Sequence, residues 1–347
     1  MSRCLLICGS LVPFVQLDLE LLERHHTVTT VEVYEVGNRA FLTALPGQIR
    51  RHDVVLTWFA GRHAIPVAVA ATALRTPMIS ISGGYDTADE RALDYGNLRP
   101  GPRKWITRGI YAACARIVCH SEFARTELLR SFPGLADRAV YGHLALQGTL
   151  LELQQGTDPS APRSGQVVTV GGCREDNWRR KGIDILLQTA ALLPDVEFVL
   201  VGDVEASIVS NGSPPANLVL AGRLSDDELH ALVSRSSVYF QPSRHEAFGY
   251  AVLEAMGWGS VPVVSRHGSL PEVVGSDAHV VSTDDPAAYA RRITESIGAS
   301  EAERDEVRQR AWGFTPENRQ AALDEAVATA LGSDHHIPSV DHGIGTP

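Results

Sequence analysis

The feature that most limits the fold of this sequence is the alternation of short apolar runs with longer amphipathic segments. Runs such as residues 5–9 and 53–58 have the length and β-propensity of buried strands, and helix-length segments follow them. The alternation stops in the polar stretch 147–165 and starts again at residue 166. Strands that alternate with helices form parallel sheets covered by helices on both faces, so the sequence predicts two Rossmann-like α/β domains.

The predicted domain boundaries follow from this pattern. We predict an N-terminal domain over residues 1–146, a linker over 147–165 and a C-terminal domain over 166–314. A last helix, 315–331, is followed by a tail, 332–347, that we interpret as a loose end rather than a metal-binding segment. In a chain of 347 residues built this way, the cleft between the two sheets is the expected ligand site.

Composition excludes several classes of protein. The net charge of −10 argues against a general nucleic-acid binder, because acidic surfaces are repelled by phosphate backbones. There is no apolar run long enough to span a membrane, and Pro13 interrupts the first apolar run before it reaches the length of a signal peptide. The five cysteines form no CxxC pair, which argues against a disulfide framework or a zinc site. We therefore expect a cytoplasmic protein.

Two glutamates in the segment 243–275 indicate a binding site. Glu246 lies just before a predicted helix that begins near Phe248 and Gly249, and Glu254 lies within its second turn. Helical side chains lean toward the helix N-terminus, where free amides attract an anion such as a diphosphate. Carboxylates are strong acceptors for sugar hydroxyls, so the pattern favours a ligand with a sugar attached to a phosphate. The alternative is a helix-dipole partner and a solvated helix residue.

This segment resembles the C-terminal signature of family 4 glycosyltransferases, which have the two-domain GT-B fold. One departure is Ala247, which stands where the family usually has glycine. The resemblance implies transfer of a sugar from a nucleotide-diphosphate sugar to an acceptor hydroxyl, with retention of anomeric configuration and without a metal or other cofactor. It also implies that Glu246 contacts the donor sugar, that Glu254 contacts the ribose and that the last helix, 315–331, crosses back to the N-terminal domain. The matching residues are Ser243, Glu246, Phe248, Gly249, Glu254, Ala255, Met256, Gly259, Pro262, Val263, Val264, Gly268, Pro271, Glu272 and Val273.

A second segment, 168–203, resembles the start of the family's nucleotide-binding domain. The resemblance makes Lys181, one of only two lysines in the chain, the diphosphate-binding lysine. We expect Arg174 to be its arginine partner, with Arg179 and Arg180 as alternatives, although a solvated basic turn would have the same sequence. By the same resemblance, the strand-end residues Gly202, Gly222 and Arg223 border the nucleotide base.

The N-terminal half matches the family less closely, as expected if it binds the acceptor. Most family members have a histidine near the position where this chain has Gly83, Gly84, Tyr85 and Asp86. Asp86 is either a residue that orients or deprotonates the acceptor hydroxyl or a turn cap. His120 is either a sugar contact or a packed histidine at a strand end. Gly9 and Ser10 form a first loop that lacks the GxGxxG pattern of dinucleotide sites, and we assign them to the acceptor side.

Several interpretations remain open in the sequence. The basic segment 99–116, with Lys104 and Trp105, either lies on a membrane surface or packs its apolar face on the sheet, and we expect the second. The acceptor is a small molecule, a glycan or a lipid. The alternative functions are a nucleotide-sugar epimerase of GT-B-like fold and a non-catalytic partner protein that binds nucleotide sugars.

Overall fold

The computed structural model describes residues 1–158, 161–205 and 214–332. The chain divides into two compact units. Unit 1 comprises Met1–Gln147 together with the described residues from Phe314 onward, and unit 2 comprises the described residues between Gly148 and Gly313.

Unit 1 is built on a six-stranded parallel sheet. The strand order is β2-β1-β3-β4-β5-β6, and the inner strands are almost fully buried. Strands that are covered on both faces are continuous apolar runs, which is why the sequence pattern located them. The strands are β1 (Arg3–Cys8), β2 (Thr27–Glu32), β3 (Val54–Trp58), β4 (Met78–Ile81), β5 (Arg116–Cys119) and β6 (Ala139–Tyr141).

Unit 2 contains a second six-stranded parallel sheet, with the order β12-β11-β10-β7-β8-β9. The order reverses between β7 and β10, which are hydrogen-bonded neighbours. In open parallel sheets, ligands bind outside the carboxyl ends of the strands at such a switch point. The strands are β7 (Val167–Val170), β8 (Phe198–Val201), β9 (Leu218–Gly222), β10 (Val238–Gln241), β11 (Val261–Ser265) and β12 (Val280–Val281).

Helices connect the strands in both units, and the prediction of two parallel α/β sheets is confirmed. In unit 1 the helices before the boundary are α1 (Pro13–His25), α2 (Val33–Val36), α3 (Asn38–Arg50), α4 (Ala64–Leu74), α5 (Pro102–Ala113) and α6 (Glu122–Ser131). In unit 2 the described helices are α7 (Gly148–Gln155), α8 (Ile183–Leu192), α9 (Asp226–Arg235), α10 (Tyr250–Gly257), α11 (Leu270–Val274), α12 (Pro286–Ile297) and α13 (Glu301–Trp312).

The last described helix, α14 (Pro316–Ala330), packs in unit 1 against α1. Arg319 on α14 and Asp18 on α1 form a buried bidentate ion pair with N–O distances of 2.6 and 2.8 Å. A third guanidinium nitrogen of Arg319 donates to the carbonyl of Gly142 at 2.5 Å. These contacts compensate the buried charge of Arg319 and hold α14 against the rest of unit 1.

One predicted segment differs from the structure, and another is not described by it. The stretch 147–165, predicted to be a linker, includes the helix α7, in which Leu150 and Gln154 are buried, so this segment belongs to the core of unit 2. The predicted tail lies outside the described residues except for Gly332. Among the residues that the structure describes, no helix is both long and apolar enough to cross a membrane.

Candidate functional site

Lys181 and Glu246 meet at the switch point of the unit 2 sheet. Lys181 follows β7 and Glu246 follows β10, and the Nζ of Lys181 donates to Oε2 of Glu246 at 3.1 Å. The side-chain amide of Gln241, the last residue of β10, donates to the same oxygen at 2.9 Å. In the described part of the chain, Oε1 of Glu246 accepts no hydrogen bond. The carboxylate is therefore oriented from one side only, and its side chain is 18% exposed.

Glycines allow the two loops to approach this closely. Gly182 has a φ of +71°, and a Cβ at this position would lie 2.0 Å from the carbonyl oxygen of Pro242, in the loop after β10. Gly268 has the same φ, and its Cβ would lie 2.2 Å from the carbonyl oxygen of Glu246. Any other residue at either position would force the loops apart. The glycine that follows Lys181 and the Gly268 of the sequence pattern are therefore required for steric reasons.

The backbone of Glu246 is fixed by the loop that follows β11. Both the backbone N–H and the hydroxyl of Ser269 donate to the Glu246 carbonyl, at 2.9 and 3.1 Å. Burial alone would raise the pKa of Glu246, but the charges of Lys181 and Arg180 outweigh it and hold the pKa below its ordinary value. The carboxyl is thus ionised near neutral pH and ready to accept a hydroxyl hydrogen bond.

Glu254 lies in the second turn of α10, as the sequence predicted, in a different electrostatic environment. Burial, with a smaller effect from the charge of Asp226, raises the pKa of Glu254 to about 7. The side-chain amide of Gln154 on α7 donates to the backbone carbonyl of Glu254 at 2.9 Å and so helps to hold α10 in position. The two glutamates of the motif therefore differ in protonation near neutral pH.

Of the three candidate arginines, Arg180 is the one that contacts this cluster. Its guanidinium donates to the carbonyl of His245, the neighbour of Glu246, at 3.3 Å. Arg174, our first choice from the sequence, is exposed, and its nearest carboxylate partner is Asp176 at 3.6 Å. Arg179 is also exposed. The geometry favours Arg180, which the sequence left as an alternative, and its role as a phosphate ligand stays a prediction.

The edge of the unit 2 sheet continues from this cluster to the ends of β8 and β9. Gly202 has a φ of +128°, and a Cβ there would lie 2.8 Å from the backbone of Gly171 and Gly172 after β7. Its N–H donates to the Gly222 carbonyl at 2.8 Å. Arg223 pairs with Asp203 at 3.1 Å, and both side chains are exposed. The predicted base-binding residues therefore lie along the same edge as Lys181.

The predicted acceptor-side residues also lie at one edge, that of the unit 1 sheet. The positions at the carboxyl ends of β1, β4 and β5 share this edge because the strands are parallel. Tyr85 is partly exposed and accepts a hydrogen bond from Arg103 at 3.1 Å, while His120 is buried. The residues placed there are Gly9, Ser10, Gly83, Gly84, Tyr85, Asp86 and His120.

Asp86 connects two loops of unit 1. Its Oδ2 accepts from the backbone N–H of Ala60 at 2.7 Å, and its Oδ1 accepts from the backbone N–H of Gly83 at 2.9 Å. Burial raises the pKa of Asp86 despite these two hydrogen bonds. A Cβ at Gly83 would collide with the ring of Phe59, which itself has a φ of +68°. The arrangement favours the loop-forming alternative for Asp86 over the role of a catalytic base.

Sequence reasoning missed several residues that shape the Lys181–Glu246 cluster. The apolar pattern predicts only that Gln241 belongs to a strand. A polar residue at the end of a buried apolar run is nevertheless a recognisable signal for a binding site at the end of that strand. The residue pattern by itself does not mark Gly182, which only the family resemblance indicates. Ser269 gives no signal of its own in the sequence. No group of three or more His, Cys, Asp or Glu side chains within the described ranges could hold a metal ion.

Comparison with known proteins matches part of this chain to a family. Residues 164–298 match the family model described as glycosyl transferases group 1. The O-antigen chain mannosyltransferase B of Escherichia coli is 30% identical over 197 residues, which cover 52% of this chain and 51% of that protein. The alpha-maltose-1-phosphate synthase of Mycobacterium tuberculosis (strain ATCC 25618 / H37Rv) is 29% identical over 227 residues, which cover 56% of each protein.

The likeness to solved structures extends over nearly the whole chain. The Anabaena protein HepE, crystallised in complex with UDP, superposes with a TM-score of 0.70 at 15% identity and covers 95% of this chain and 100% of that chain. At this identity the likeness establishes the fold, whereas the sequence matches span about half the length of the curated relatives. The chain therefore has the GT-B fold, and its residues 164–298 match the group 1 glycosyl transferase family that its motifs predicted.

Proposed function

We propose that this protein is a retaining glycosyltransferase that moves a sugar from a nucleotide-diphosphate sugar to an acceptor hydroxyl without a metal ion. The observation that carries the proposal is the position of Lys181, Glu246 and Glu254 around the switch point of the unit 2 sheet. One cation and two carboxylates of different pKa match the parts of a nucleotide sugar, which combines a diphosphate with two sets of hydroxyls.

Each of the three side chains has a distinct proposed task. The Lys181 ammonium neutralises the charge that develops on the diphosphate as the bond to the anomeric carbon breaks. The Oε1 atom of Glu246 accepts a hydrogen bond from a hydroxyl of the transferred sugar, while Lys181 and Gln241 hold Oε2 in place. Glu254, in the second turn of α10, accepts hydrogen bonds from the ribose hydroxyls. The positive end of the α10 helix dipole adds to the positive potential around the phosphates.

We further propose that the acceptor oxygen attacks the face of the sugar that the diphosphate leaves. The new glycosidic bond then forms on the side of the broken one, and the acceptor proton passes to an oxygen of the departing phosphate. No protein carboxylate base is required for this step. The assignment is consistent with Asp86, whose two oxygens already accept backbone hydrogen bonds from Ala60 and Gly83.

The donor and acceptor are best identified experimentally. The relatives named above are a mannosyltransferase and a maltose-phosphate synthase, and the crystallised HepE binds UDP, so hexoses linked to several nucleotides are the reasonable first panel. We would screen UDP-, GDP- and ADP-linked hexoses for thermal stabilisation of the protein. A donor that binds would then be offered, with a radiolabelled sugar, to sugar phosphates, glycans and lipid-linked acceptors.

The expected result is stabilisation by one nucleotide class and transfer of label to one acceptor class. Slow release of free labelled sugar in water would also support the transferase. Conversion of the donor sugar to its epimer, with the nucleotide still attached, would instead identify an epimerase. Tight donor binding with neither hydrolysis nor transfer across all the acceptors would contradict the catalytic proposal and favour a binding partner.

A further inference from the structure

Three neighbouring helices on unit 1 have an unusual charge pattern. Helix α3 packs beside α4, and α4 packs beside α5. None of the three contains an aspartate or glutamate, although the whole chain has a net charge of −10. We call the outer surface of these helices the α3–α5 face. Its helices contain the basic residues Arg39, Arg50, Arg103, Lys104 and Arg108, of which four are exposed.

Large apolar side chains are exposed on the same face. Val69 on α4 is 67% exposed, Trp105 on α5 is 63% exposed and Leu42 on α3 is 51% exposed. Ile65 and Ile106 are also exposed. Single exposed apolar residues are common on soluble proteins, but a group on adjacent helices marks an interaction surface.

The packing of α5 explains why Trp105 is available. Ile110 and Tyr111 face the core and are buried, so they supply the apolar contact of this helix with the sheet. The helix thus packs an apolar face on the sheet, as expected, and Trp105 is not part of that contact. Arg108 lies over the ring of Trp105 at 5.4 Å, which keeps a positive charge beside the exposed indole.

A cavity between α5 and the segment after α6 adds a place for an anionic group. It has a volume of about 440 Å³ and is lined by the basic residues Lys104, Arg108 and Arg138 and the aromatic rings of Trp105 and Phe132. The Lys104 ammonium lies 5.7 Å from the centre of the Phe132 ring. The cavity thus combines cations with apolar surface, the combination that phospholipid headgroups and their adjoining chains require.

We propose that the α3–α5 face binds the surface of a bilayer that contains anionic phospholipids. Basic side chains at the face attract anionic headgroups, and the exposed Trp105, Val69 and Leu42 enter the boundary between headgroups and acyl chains. The attraction is local, because the acidic residues that give the chain its net charge are absent from these three helices. The binding is peripheral, with the helices lying on the bilayer rather than crossing it.

A second copy of the chain is a poorer occupant of this face. In a two-fold dimer the same surface would meet itself, and five basic residues without a carboxylate would then repel their counterparts. An anionic bilayer offers the opposite charge and an apolar layer together. The proposal does not depend on the glycosyltransferase activity, since it concerns binding alone.

The test is sedimentation of the full-length protein with vesicles at low ionic strength. Vesicles of phosphatidylcholine with about one third phosphatidylglycerol should pellet the protein, and pure phosphatidylcholine vesicles should not. Binding should decrease as salt is added, because the Debye length shortens to about 8 Å at physiological ionic strength. The tryptophan emission should shift to shorter wavelength on binding as Trp105 enters an apolar environment.

Matched variants locate the binding surface. Arg108→Ala should weaken the vesicle affinity by about five-fold, the effect of one basic residue near an anionic surface. Trp105→Phe should abolish the emission shift, and Trp105→Ala should in addition reduce binding. The controls are Arg291→Ala and Leu192→Ala, which remove an exposed cation and an exposed apolar side chain from unit 2 and should leave binding unchanged.

Three results would overturn the proposal. One is the absence of sedimentation with anionic vesicles at low salt while the protein remains folded by circular dichroism. Another is equal vesicle binding by wild type, Arg108→Ala and Trp105→Ala. The third is a dimer in light scattering without vesicles that Trp105→Ala converts to a monomer, since this would assign the face to a second copy.

Discussion

The Nζ of Lys181 lies 3.1 Å from Oε2 of Glu246, although 65 positions separate the two residues in the chain. The contact joins the loop after β7 to the loop after β10 at the point where the strand order of the unit 2 sheet reverses. Each of the two side chains neutralises the charge of the other. In the proposed complex with a nucleotide sugar, the diphosphate takes over part of this interaction with the lysine.

Lys181→Ala should reduce kcat/KM by about 10- to 150-fold, because a charge-assisted contact to the diphosphate contributes roughly 1.5 to 3 kcal/mol. The variant should still fold, since the Lys181 side chain is partly solvated. Steady-state kinetics and calorimetry on the same preparation check both expectations. Arg291→Ala is the matched control, as it removes an exposed cation from the same unit. Wild-type kcat/KM in Lys181→Ala would remove this lysine from the site.

Binding of a free nucleoside diphosphate should strengthen by about ten-fold between pH 6 and pH 8, because the pKa of Glu254 is about 7 and only its ionised form is a strong acceptor for ribose hydroxyls. Isothermal titration calorimetry across this range measures the effect. Glu254→Gln should bind more weakly at pH 8 and lose this part of the pH dependence. Any pH dependence of binding that persists in Glu254→Gln comes from titration of the ligand phosphates.

Glu246→Gln should spare nucleoside diphosphate binding and lower the transfer rate. Glu246 is held ionised by Lys181 and Arg180, and its Oε1 is assigned to the donor sugar, which a free diphosphate lacks. Binding isotherms and single-turnover transfer assays separate the two effects. The assignment of the two glutamates fails if Glu246→Gln and Glu254→Gln both bind the nucleoside diphosphate like wild type.

Asp86→Asn should destabilise the protein by about 1 to 3 kcal/mol, because a buried amide NH2 would face the backbone N–H of Ala60 or Gly83 in place of an acceptor oxygen. Denaturant unfolding measures the change. Asp94→Asn, at an exposed carboxylate of the same segment, should leave the unfolding free energy unchanged. A stable Asp86→Asn variant that has lost turnover would support the catalytic alternative instead.

Arg319→Met should reduce the stability of unit 1 by about 3 to 5 kcal/mol, because it leaves the buried Asp18 carboxylate without its ion-pair partner. The exposed pair Arg3–Asp53 provides the control, since it is also an Arg–Asp pair with two side-chain hydrogen bonds. Arg3→Ala should have little effect, because solvent and salt screen that pair. Equal losses of stability in the two variants would show that burial does not decide how much each pair contributes.

Activity should survive excess EDTA, and an α-linked donor should yield an α-linked product. Lys181 and the amides at the start of α10 provide fixed positive potential for the leaving diphosphate, which other enzymes obtain from a divalent cation. The anomeric coupling constant in the NMR spectrum of the product reports its stereochemistry. Inverted configuration, or loss of turnover on chelation that Mg²⁺ restores, would contradict the proposed mechanism.

The sequence alone determined the two parallel sheets and most of their elements. Buried parallel strands are continuous apolar runs, and their helices have one apolar stripe, so both leave a local signal. The pattern does not indicate helix α3, because Pro46 and Gly47 interrupt it, although Phe41, Leu45 and Ile49 keep the helical spacing. It does not indicate the short strand β6 or the helix α7 either. In α7 the stabilising contacts come from distant residues, such as the Glu254 carbonyl bound by Gln154.

The motifs also predicted Lys181, Glu246 and Glu254 as site residues, because the spacing of each motif within its segment is local. Only the tertiary structure decided which partners surround them. Arg180 rather than Arg174 approaches Glu246, and Gln241 orients its carboxylate, since both relationships depend on how the loops after β7 and β10 meet. The exposure of Trp105 was likewise undetermined by sequence, because an amphipathic pattern does not reveal which apolar residues the core has room to bury. Contacts between segments that are distant in sequence depend on how the core packs and on glycines that let two loops approach closely. Neither of these produces a periodic pattern in the sequence.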